Sequence, residues 1–374
     1  MIRYTATCLF GLEGLLGAEI DALGYNRIST IDGRITFEGD ALACARANIN
    51  LRYAERVYIN LGTFHAASFE ELFDGTYNLP WEDFICREDA FPVKGHAIKS
   101  ALYSIPDCQK IVKKAIVKRL GGKYGLNVLP ETGIKYQVEF FILKDSASLM
   151  IDTTGTALHK RGYRPEMVAA PLRETLAAAL AAFSRPREDV LFCDPFCGSG
   201  TIAIEAAMQM LHIAPGMNRS FAAEVFPTFQ DDLWQYAREE ARSNVITDNS
   251  FEVHASDIDP ECVRIATESA KRAGVDSHVF CRQANALDIT SDGRRGTIVT
   301  NPPYGERLMT QDEATQLYRD MGRAFSALGR WQIYVLTSAE DFERLYGRKA
   351  DKVRKLYNGM IPCGLYQYFK NGKK

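Results

Sequence analysis

A glycine-rich turn between an apolar run and a helix constrains the fold of this chain more than any other feature. Residues Asp189 to Cys193 have the length and composition of a buried strand, and Ile202 to about Met210 have those of a helix. The turn between them reads Asp194-Pro195-Phe196-Cys197-Gly198-Ser199-Gly200-Thr201. Its glycines let the backbone approach a ligand closely, and a helix N-terminus favours a carboxylate or phosphate group. This order of elements predicts a ligand cradle in an α/β fold.

A second acidic segment, Asp257-Ile258-Asp259, follows the predicted strand Glu252 to Ala255 and precedes a helix that begins with Pro260. A carboxylate at the end of such a strand is suited to accept hydrogen bonds from ribose hydroxyls. The fingerprint of dinucleotide oxidoreductases is G-x-G-x-x-G, and Ala203 stands where its third glycine belongs. The distance from the turn to Asp257 exceeds the ~20 residues of a dinucleotide unit, which indicates an inserted segment at about 211 to 233.

The tetrapeptide Asn301-Pro302-Pro303-Tyr304 directly follows the buried strand predicted at Thr297 to Thr300. An exocyclic amine of a nucleobase is a poor nucleophile because its lone pair is delocalised into the ring. The Asn301 side-chain oxygen and the Pro302 carbonyl can each accept one amino hydrogen and hold the nitrogen pyramidal. Tyr304 offers a flat face for an extruded base. Although such dipeptides are also common in ordinary turns, the position after a buried strand favours methyl transfer to an amino group.

These motifs, in this order, resemble those of the class I S-adenosylmethionine-dependent methyltransferases. The longer stretches Asn301 to Leu308, Ala214 to Phe221 and His159 to Arg164 resemble the bacterial THUMP-domain methyltransferases that make N2-methylguanine in large-subunit ribosomal RNA. The resemblance covers essentially the whole chain. It implies a C-terminal Rossmann-like methyltransferase domain, with a parallel sheet and a reversed last strand, after N-terminal ferredoxin-like and THUMP α+β domains.

The same resemblance implies the residues of the site. The catalytic residues would be Asn301, Pro302, Pro303 and Tyr304. The adenine amino group of the cofactor would be accepted by Asn285, where such enzymes often have an aspartate, or alternatively by Asp288. S-adenosylmethionine would be held by Asp194, Pro195, Cys197, Gly198, Gly200, Thr201, Asp257, Ile258, Asn285, Ala286 and Asn301.

Composition agrees with a soluble enzyme of two or three domains, since the chain has 374 residues, 46% of them hydrophobic and 25% charged. No window approaches the ~18 apolar residues of a membrane span, and the N-terminus lacks a basic region before an apolar core. We therefore expect a cytoplasmic protein. The nine cysteines contain no C-x-x-C pair and the six histidines are isolated, so we expect reduced, mostly buried cysteines and no metal site.

Positive charge is concentrated in one segment, although the formal net charge is only -2. Between Lys94 and Lys123 there are eight Lys or Arg residues and one acid, Asp107. Lysines at helical spacing are usually a solvated face, but four cations without interleaved acids repel one another, which favours a contact with RNA phosphates. A second basic cluster follows His159, in what reads as a linker or as a surface that steers RNA. The residues expected to bind RNA are Lys110, Lys113, Lys114, Lys118, Lys160, Arg161 and Arg164.

The chain is expected to divide into a ferredoxin-like domain (1–60), a THUMP domain (61–158) and a methyltransferase domain (159–374). Predicted strands lie at Ile2 to Leu9, Ile35 to Phe37, Val57 to Leu61, Ala97 to Ser100, Lys135 to Leu143, Ala147 to Asp152, Val279 to Arg282 and Gln332 to Leu336. Predicted helices lie at Leu12 to Leu23, Ala41 to Asn48, Pro171 to Phe183 and Gln311 to Leu328. The runs Lys352 to Tyr357 and Leu365 to Phe369, separated by Asn358-Gly359, predict a closing hairpin.

The resulting hypothesis is in-line transfer of the methyl group of S-adenosylmethionine to the N2 amino group of a guanine in 23S ribosomal RNA or a ribosome assembly precursor. Three alternatives stay open at this stage. The enzyme could methylate guanine N2 in transfer RNA or adenine N6 in DNA. The chain could also be a catalytically idle RNA-binding assembly factor.

Overall fold

The computed structural model describes residues 1–164, 172–229, 231–303 and 310–369. The chain divides into two compact units, and the division does not follow the sequence order. The first unit comprises Met1–Cys8, Leu16–Leu158 and Ser220–Glu240. The second comprises Leu9–Leu15, His159–Arg219 and Ala241–Lys374.

The first unit is a mixed sheet covered by helices. Within the described ranges its strands are β1 (Ile2–Cys8), β2 (Asn26–Ile31), β3 (Arg34–Gly39), β4 (Ala54–His65), β5 (Val93–Ile98), β6 (Val138–Leu143) and β7 (Ser146–Asp152). Its helices are α1 (Glu13–Ala22), which crosses the division at residue 16, α2 (Ala41–Asn50), α3 (Phe69–Tyr77) and α4 (Ile105–Tyr124). The strand order is β2-β3-β1-β4-β7-β6-β5.

One long strand joins the predicted ferredoxin-like and THUMP strands into this single sheet. The 12-residue strand β4 pairs with β1 between Ala54 and Ile59 and with β7 between Tyr58 and His65. The predicted strand, Val57 to Leu61, covers only the middle of β4. The strand is continuous through residue 60, where the sequence suggested a domain boundary.

Local signals explain where several helices of this unit begin. Asp40 caps α2 by accepting a hydrogen bond from the Ala43 N–H at 3.0 Å. Ser68 and Glu71 form a reciprocal capping box at the start of α3, a helix that the sequence analysis did not predict. Strand β2 was not predicted either, because all six of its side chains are exposed and give no apolar alternation.

A segment from the methyltransferase half of the sequence belongs to the first unit. The Phe226 ring stacks on Tyr136 with 4.1 Å between centroids, and the Ala223 N–H donates to the Thr153 carbonyl at 3.0 Å. The guanidinium of Arg46 donates two hydrogen bonds of 2.7 Å to the Glu240 carboxylate. The segment 220–240 therefore supplies both apolar and charged contacts to the sheet unit that begins the chain.

The second unit is a doubly wound sheet. Within the described ranges its strands are β8 (Leu191–Asp194), β9 (Val253–Asp257), β10 (Val279–Gln283), β11 (Gly296–Thr300), β12 (Gln332–Thr337), β13 (Lys352–Asn358) and β14 (Ile361–Tyr368). The helices after residue 171 are α5 (Glu174–Ser184), α6 (Thr201–Met210), α7 (Asp231–Ser243), which crosses the division at residue 240, α8 (Pro260–Ala273), α9 (Gln311–Ser326) and α10 (Phe342–Tyr346).

The strand order of this sheet is β10-β9-β8-β11-β12-β14-β13. The pairs from β10 to β12 are parallel, whereas β14 runs antiparallel to both β12 and β13. The predicted closing hairpin and the reversed last strand are confirmed. Gly359 lies in the tight connection at φ 64°, which explains why glycine occupies this turn.

Two elements have boundaries that differ from the expected ones. Helix α5 begins at Glu174 with Arg173 at its N-cap, whereas the sequence predicted a start at Pro171, which lies outside the described residues. Strand β5 lies at Val93–Ile98, upstream of the predicted Ala97 to Ser100. The position of this strand was missed because only Gly95 among its six residues is buried, so no buried apolar run marks it.

Helices α9 and α10 pack on one face of the second sheet through buried aromatic residues. Tyr318 and Phe325 of α9 and Phe342 and Tyr346 of α10 belong to one apolar cluster with Tyr366 of β14.

Among the described residues, no helix is both long enough and apolar enough to cross a bilayer.

Close packing between α9 and α10 predicts the effect of a small substitution. A Cβ at Gly322 would lie 2.0 Å from the carbonyl oxygen of Tyr346, a backbone atom that cannot move away cheaply. We expect Gly322→Ala to lower the free energy of unfolding by roughly 1–3 kcal/mol in urea titrations. The control is Gly122→Ala in α4, where a Cβ meets no atom within 4 Å. That exposed helical position should gain up to about 1 kcal/mol. Equal effects at both positions would contradict the packing argument.

Candidate active site

The carboxyl ends of β8 and β11 bring the two main sequence motifs together. The strands are parallel neighbours with Cys193 opposite Ile298. The Thr300 hydroxyl donates a 2.7 Å hydrogen bond to Oδ1 of the buried Asp194. Because Asp194 opens the glycine turn and Thr300 directly precedes Asn301, the turn and the asparagine-proline loop begin side by side.

The glycine turn is held open by its backbone conformation and by β9. Gly198 and Gly200 have φ values of 50° and 78°, in the left-handed region that favours glycine. A Cβ at Gly198 would meet no atom within 4 Å, whereas one at Gly200 would lie 3.0 Å from the Ala266 Cβ. The Gly198 N–H donates to Oδ2 of Asp257 at 2.9 Å. The turn therefore packs against α8 on one side and leaves free space on the other.

Asp257 is the last residue of β9 and has capacity for a ligand. Its Oδ1 accepts a hydrogen bond from the Asp259 N–H at 3.1 Å and its Oδ2 accepts the one from Gly198. Each carboxylate oxygen keeps a further lone pair that could accept a ribose hydroxyl. The neighbouring Ile258 is 68% exposed, an apolar surface of the kind that a purine ring covers. This arrangement fits the residues predicted to hold the nucleoside part of the cofactor.

A short 3-10 turn, Ala286–Asp288, follows β10. Asn285 is its N-cap and Asp288 its last residue. The Asn285 side-chain oxygen accepts a hydrogen bond from the Leu287 N–H at 3.0 Å, and both candidates are exposed. Since the Asn285 oxygen has a second lone pair, it can still accept an amino hydrogen. The assignment to Asn285 stays a prediction, with Asp288 as the alternative.

Asn301 has a buried hydrogen-bond acceptor that a ligand could satisfy. Its side-chain oxygen is buried and has no hydrogen-bond partner among the described residues. Leaving such an acceptor unsatisfied costs roughly 1–3 kcal/mol, so a donor supplied by a substrate would restore the balance. The Tyr318 hydroxyl lies 3.4 Å from the Pro303 carbonyl and 3.0 Å from Thr337 Oγ1, which ties the loop to α9 and β12. Tyr304, expected to stack on the base, lies outside the described residues.

Burial sets the protonation of two groups in the cradle. It raises the pKa of Asp194 to about 7, although the hydrogen bond from Thr300 acts in the opposite direction. Burial also raises the pKa of the Cys197 thiol well above its usual range. A protonated thiol is a weak nucleophile, which agrees with a packing role for Cys197 in the turn.

Two members of the basic cluster after His159 form ion pairs within the second unit. Arg161 is 6% exposed and forms an ion pair with Glu205 of α6 at 3.3 Å. Arg164 pairs with Glu174 of α5 at 2.8 Å. These ion pairs favour a structural role for both guanidinium groups, because a phosphate would have to compete with a buried carboxylate. Lys160 is exposed and stays a prediction.

A sequence signal for these ion pairs was available. Glu174 and Glu205 stand in otherwise apolar helices, and Glu205 is fully buried. A buried carboxylate requires a partner, so each acid predicted a nearby cation. The Tyr163 hydroxyl also donates to Glu205 at 3.1 Å.

Helix α4 presents part of the predicted lysine surface. Lys110, Lys114 and Lys118 are exposed. Lys110 pairs with Asp107 at 3.3 Å but stays 78% exposed. Lys113 is only 31% exposed, is paired with Glu131 at 2.6 Å and lies 3.6 Å from the centre of the Phe91 ring, so it is less available to a phosphate than the other three lysines. Two residues that the sequence analysis missed, Phe73 and Tyr77 of α3, have ring centroids 5.4 and 5.6 Å from the Lys118 ammonium.

We name the exposed lysines Lys110, Lys114 and Lys118 with the rings of Phe73 and Tyr77 the α3–α4 surface. Its cations and flat rings are the two kinds of group that bind nucleic-acid phosphates and bases.

In the described ranges, no group of three or more His, Cys, Asp or Glu side chains is arranged to hold a metal ion.

The raised pKa of Asp194 predicts a pH-dependent contribution to stability. The carboxyl is neutral in the folded protein at pH values where it is ionised in the unfolded chain, so its favourable contribution is full below pH ~4 and is lost as pH rises through about 7. Asp194→Asn should therefore become more stable relative to wild type between pH 4 and pH 7.5 in urea titrations. The gain is at most a few kcal/mol, at about 1.4 kcal/mol per pKa unit.

The control for this measurement is Asp292→Asn, which removes an exposed carboxylate of the same unit. Asparagine tolerates the φ of 45° at that position. A difference between Asp194→Asn and wild type that stays constant over this pH interval would contradict the assigned protonation.

Family models match three successive parts of the chain. They are the RlmL ferredoxin-like domain over residues 3–58, the THUMP domain over residues 66–152, and the RMKL-like methyltransferase domain over residues 161–367. Their order is the predicted one. The predicted fold class and the predicted methyl donor, S-adenosylmethionine, are confirmed.

Known proteins resemble the chain over nearly its full length. It is 46% identical over 373 residues to YpsC of Bacillus subtilis, named as a putative RNA methyltransferase, and covers 97% of that protein. It is 32% identical to the ribosomal RNA large subunit methyltransferase K/L of Hahella chejuensis, with 99% of this chain aligned to 53% of that enzyme.

The crystal structure of SMU.472, named as a putative methyltransferase and solved as a complex with SAH, aligns with all of the chain and 99% of its own length. The TM-score is 0.93 at 41% identity. The described geometry, the three family models and these similarities agree. This chain belongs to the RMKL-like methyltransferases that carry an RlmL ferredoxin-like domain and a THUMP domain.

Proposed function

We propose that this protein methylates the N2 amino group of a guanine in large-subunit ribosomal RNA. The observation that carries the proposal is the buried side-chain oxygen of Asn301, which no donor among the described residues satisfies. It lies one residue beyond the Thr300 hydrogen bond to the glycine turn. An amine acceptor next to a methyl-donor cradle is the arrangement that amino-group methylation requires.

The chain's own residues account for binding and orientation. The turn that contains Gly198 and Gly200 receives the donor, and Asp257 accepts its ribose hydroxyls. S-adenosylmethionine supplies an electrophilic methyl group when bound. Asn301 Oδ1 and the Pro302 carbonyl each accept one hydrogen of the substrate amine, which directs the nitrogen lone pair away from the base plane. Orientation of this kind can supply several kcal/mol of the barrier reduction.

A strong general base is not required at this site. The nitrogen would become positively charged as its new bond to the methyl carbon forms and the sulfur–methyl bond of the donor breaks, leaving a neutral thioether. Such an ammonium is acidic enough to lose a proton to water. Asp194 is not assigned this task, because it is buried and its carboxylate oxygen already accepts the Thr300 hydroxyl. Its role is to keep the two loops together.

The α3–α4 surface is the proposed RNA contact. It has three exposed lysines and two aromatic rings, and the THUMP model matches this part of the chain. The named activity of the K/L relatives on large-subunit ribosomal RNA supports the choice of RNA. The choice of guanine N2 rests on the motif resemblance described above.

Nucleoside mass spectrometry of RNA and DNA from a deletion strain tests the substrate. We expect loss of N2-methylguanosine from one position of 23S ribosomal RNA and its return when the gene is restored. Loss from transfer RNA instead, or loss of N6-methyladenine from DNA, would replace the proposed substrate. A full set of modifications in the deletion strain would support an assembly factor.

The role of Asn301 predicts a separation of turnover from donor binding. Asn301→Ala should reduce kcat by about 100-fold or more, because the amine loses its orienting acceptor. The Kd for S-adenosylhomocysteine, measured by calorimetry, should change less than about twofold. The matched control is Asn249→Ala, which removes an asparagine of the same unit whose side-chain oxygen is also buried and unpartnered. A normal rate for Asn301→Ala would refute the assignment.

The α3–α4 surface predicts a salt-dependent RNA affinity. Replacing Lys110, Lys114 and Lys118 together by Gln should weaken RNA binding and reduce the slope of log K against log salt by about 0.7–0.9 per lost phosphate contact. The control is Lys113→Gln, since that ammonium is already paired with Glu131. It should lower stability while leaving the salt slope intact. Unchanged slopes in the triple variant, measured by fluorescence anisotropy, would exclude this surface.

A further inference from the structure

The second unit contains a cavity that the proposed function does not use. It has a volume of about 860 Å³. Its wall includes Thr297 and Gln332, at the amino ends of β11 and β12, and Ser184 at the end of α5. Thr297 precedes Asn301 by four residues on the same strand, which at about 3.3 Å per residue separates them by roughly 13 Å. The cavity therefore lies at the opposite edge of the sheet from the candidate active site.

The charges of this cavity have one sign. Arg185, Arg187, Lys352 and Arg354 line it, and the described lining contains no Asp or Glu. Within the described ranges, none of these four side chains has an ion pair or a hydrogen bond. Two acids that adjoin these residues in the chain are engaged elsewhere, since Asp189 pairs with Arg295 and Asp351 with Arg348. Four unneutralised cations around one cavity repel each other, and an anion would reverse that repulsion.

Two buried donors in the same wall lack acceptors in the part of the chain that the structure describes. Gln367 is 3% exposed and its side-chain Nε2 has no hydrogen-bond partner there. The Nε of Arg354 is also buried without a partner, and its guanidinium lies over the Phe183 ring at 4.4 Å. A buried N–H without an acceptor costs roughly 1–3 kcal/mol. These donors indicate that an acceptor belongs in the cavity.

The size and walls of the cavity define the ligand further. Its volume is within the ~300–1,000 Å³ of small-molecule sites and is far more than a phosphate group alone would fill. Phe183, Tyr334 and Phe369 add flat apolar surface to the cationic side. A ligand with a phosphate group and a planar ring matches both parts.

We propose that this cavity binds a nucleoside phosphate, supplied either as a free nucleotide or as a 5′-terminal nucleotide of an RNA. The phosphate would accept hydrogen bonds from Arg354 and Gln367 and be neutralised by Arg185 and Arg187. The separation from Asn301 makes this ligand distinct from both the methyl donor and the reacting base. The proposal does not depend on the methylated nucleotide being guanine.

The test measures binding to the full chain by calorimetry, with saturating S-adenosylhomocysteine to occupy the donor site. One probe is uridine 5′-triphosphate, and the other is a short oligoribonucleotide with a 5′-phosphate, compared with its 5′-hydroxyl form. The variants are Arg185→Gln/Arg187→Gln and, without a change of charge, Gln367→Leu. The control double variant is Lys271→Gln/Arg272→Gln, which removes two exposed cations from the end of α8.

We expect at least one probe to bind, and the Arg185/Arg187 double variant to raise its Kd about tenfold or more, as for the loss of charged hydrogen bonds. Gln367→Leu should also weaken binding, and the control should change the Kd less than twofold. Binding of the triphosphate identifies a free nucleotide, whereas binding of only the phosphorylated oligonucleotide identifies RNA. Absence of binding, or equal losses in the two double variants, overturns the proposal. Unchanged affinity for S-adenosylhomocysteine shows that each variant is folded and that methyl-donor binding is a separate matter.

Discussion

The hydrogen bond from Thr300 to Asp194 is the interaction on which the candidate site depends. It joins two strands that are neighbours in the sheet but 106 residues apart in the chain. On one side it positions the glycine turn, and on the other it positions Asn301. Because Asp194 is fully buried, the bond is shielded from water and compensates part of the cost of that burial. The same contact therefore places the open space at Gly198 and the Asn301 side chain at adjacent strand ends.

The central arrangement of the site could be predicted from sequence because its signals are local. Short apolar runs bounded by glycine or proline mark β8 and β11, and parallel strands place their carboxyl ends on one edge. The positions of Asp194, Asp257 and Asn301 follow from that rule alone. Likewise, Asn358-Gly359 between two alternating runs was sufficient for the reversed β14.

The features that sequence could not supply depend on partners far away in the chain. Arg161 and Lys113 both look like phosphate ligands until Glu205 and Glu131 are seen beside them. A lysine or arginine has the same local pattern whether it faces solvent or an acid from another element. Strand β2 was missed for a related reason, since it is held by backbone pairing with β3 and buries no side chain.

The placement of segment 220–240 affects how the chain can acquire its structure during synthesis. Tyr136 stacks on Phe226, and Arg46 donates hydrogen bonds to Glu240. A nascent polypeptide that ends at residue 158 therefore lacks these contacts. About eighty residues after Leu158 must leave the ribosome before the last contacts of the first unit can form. The first unit is consequently not formed by the N-terminal part of the sequence alone.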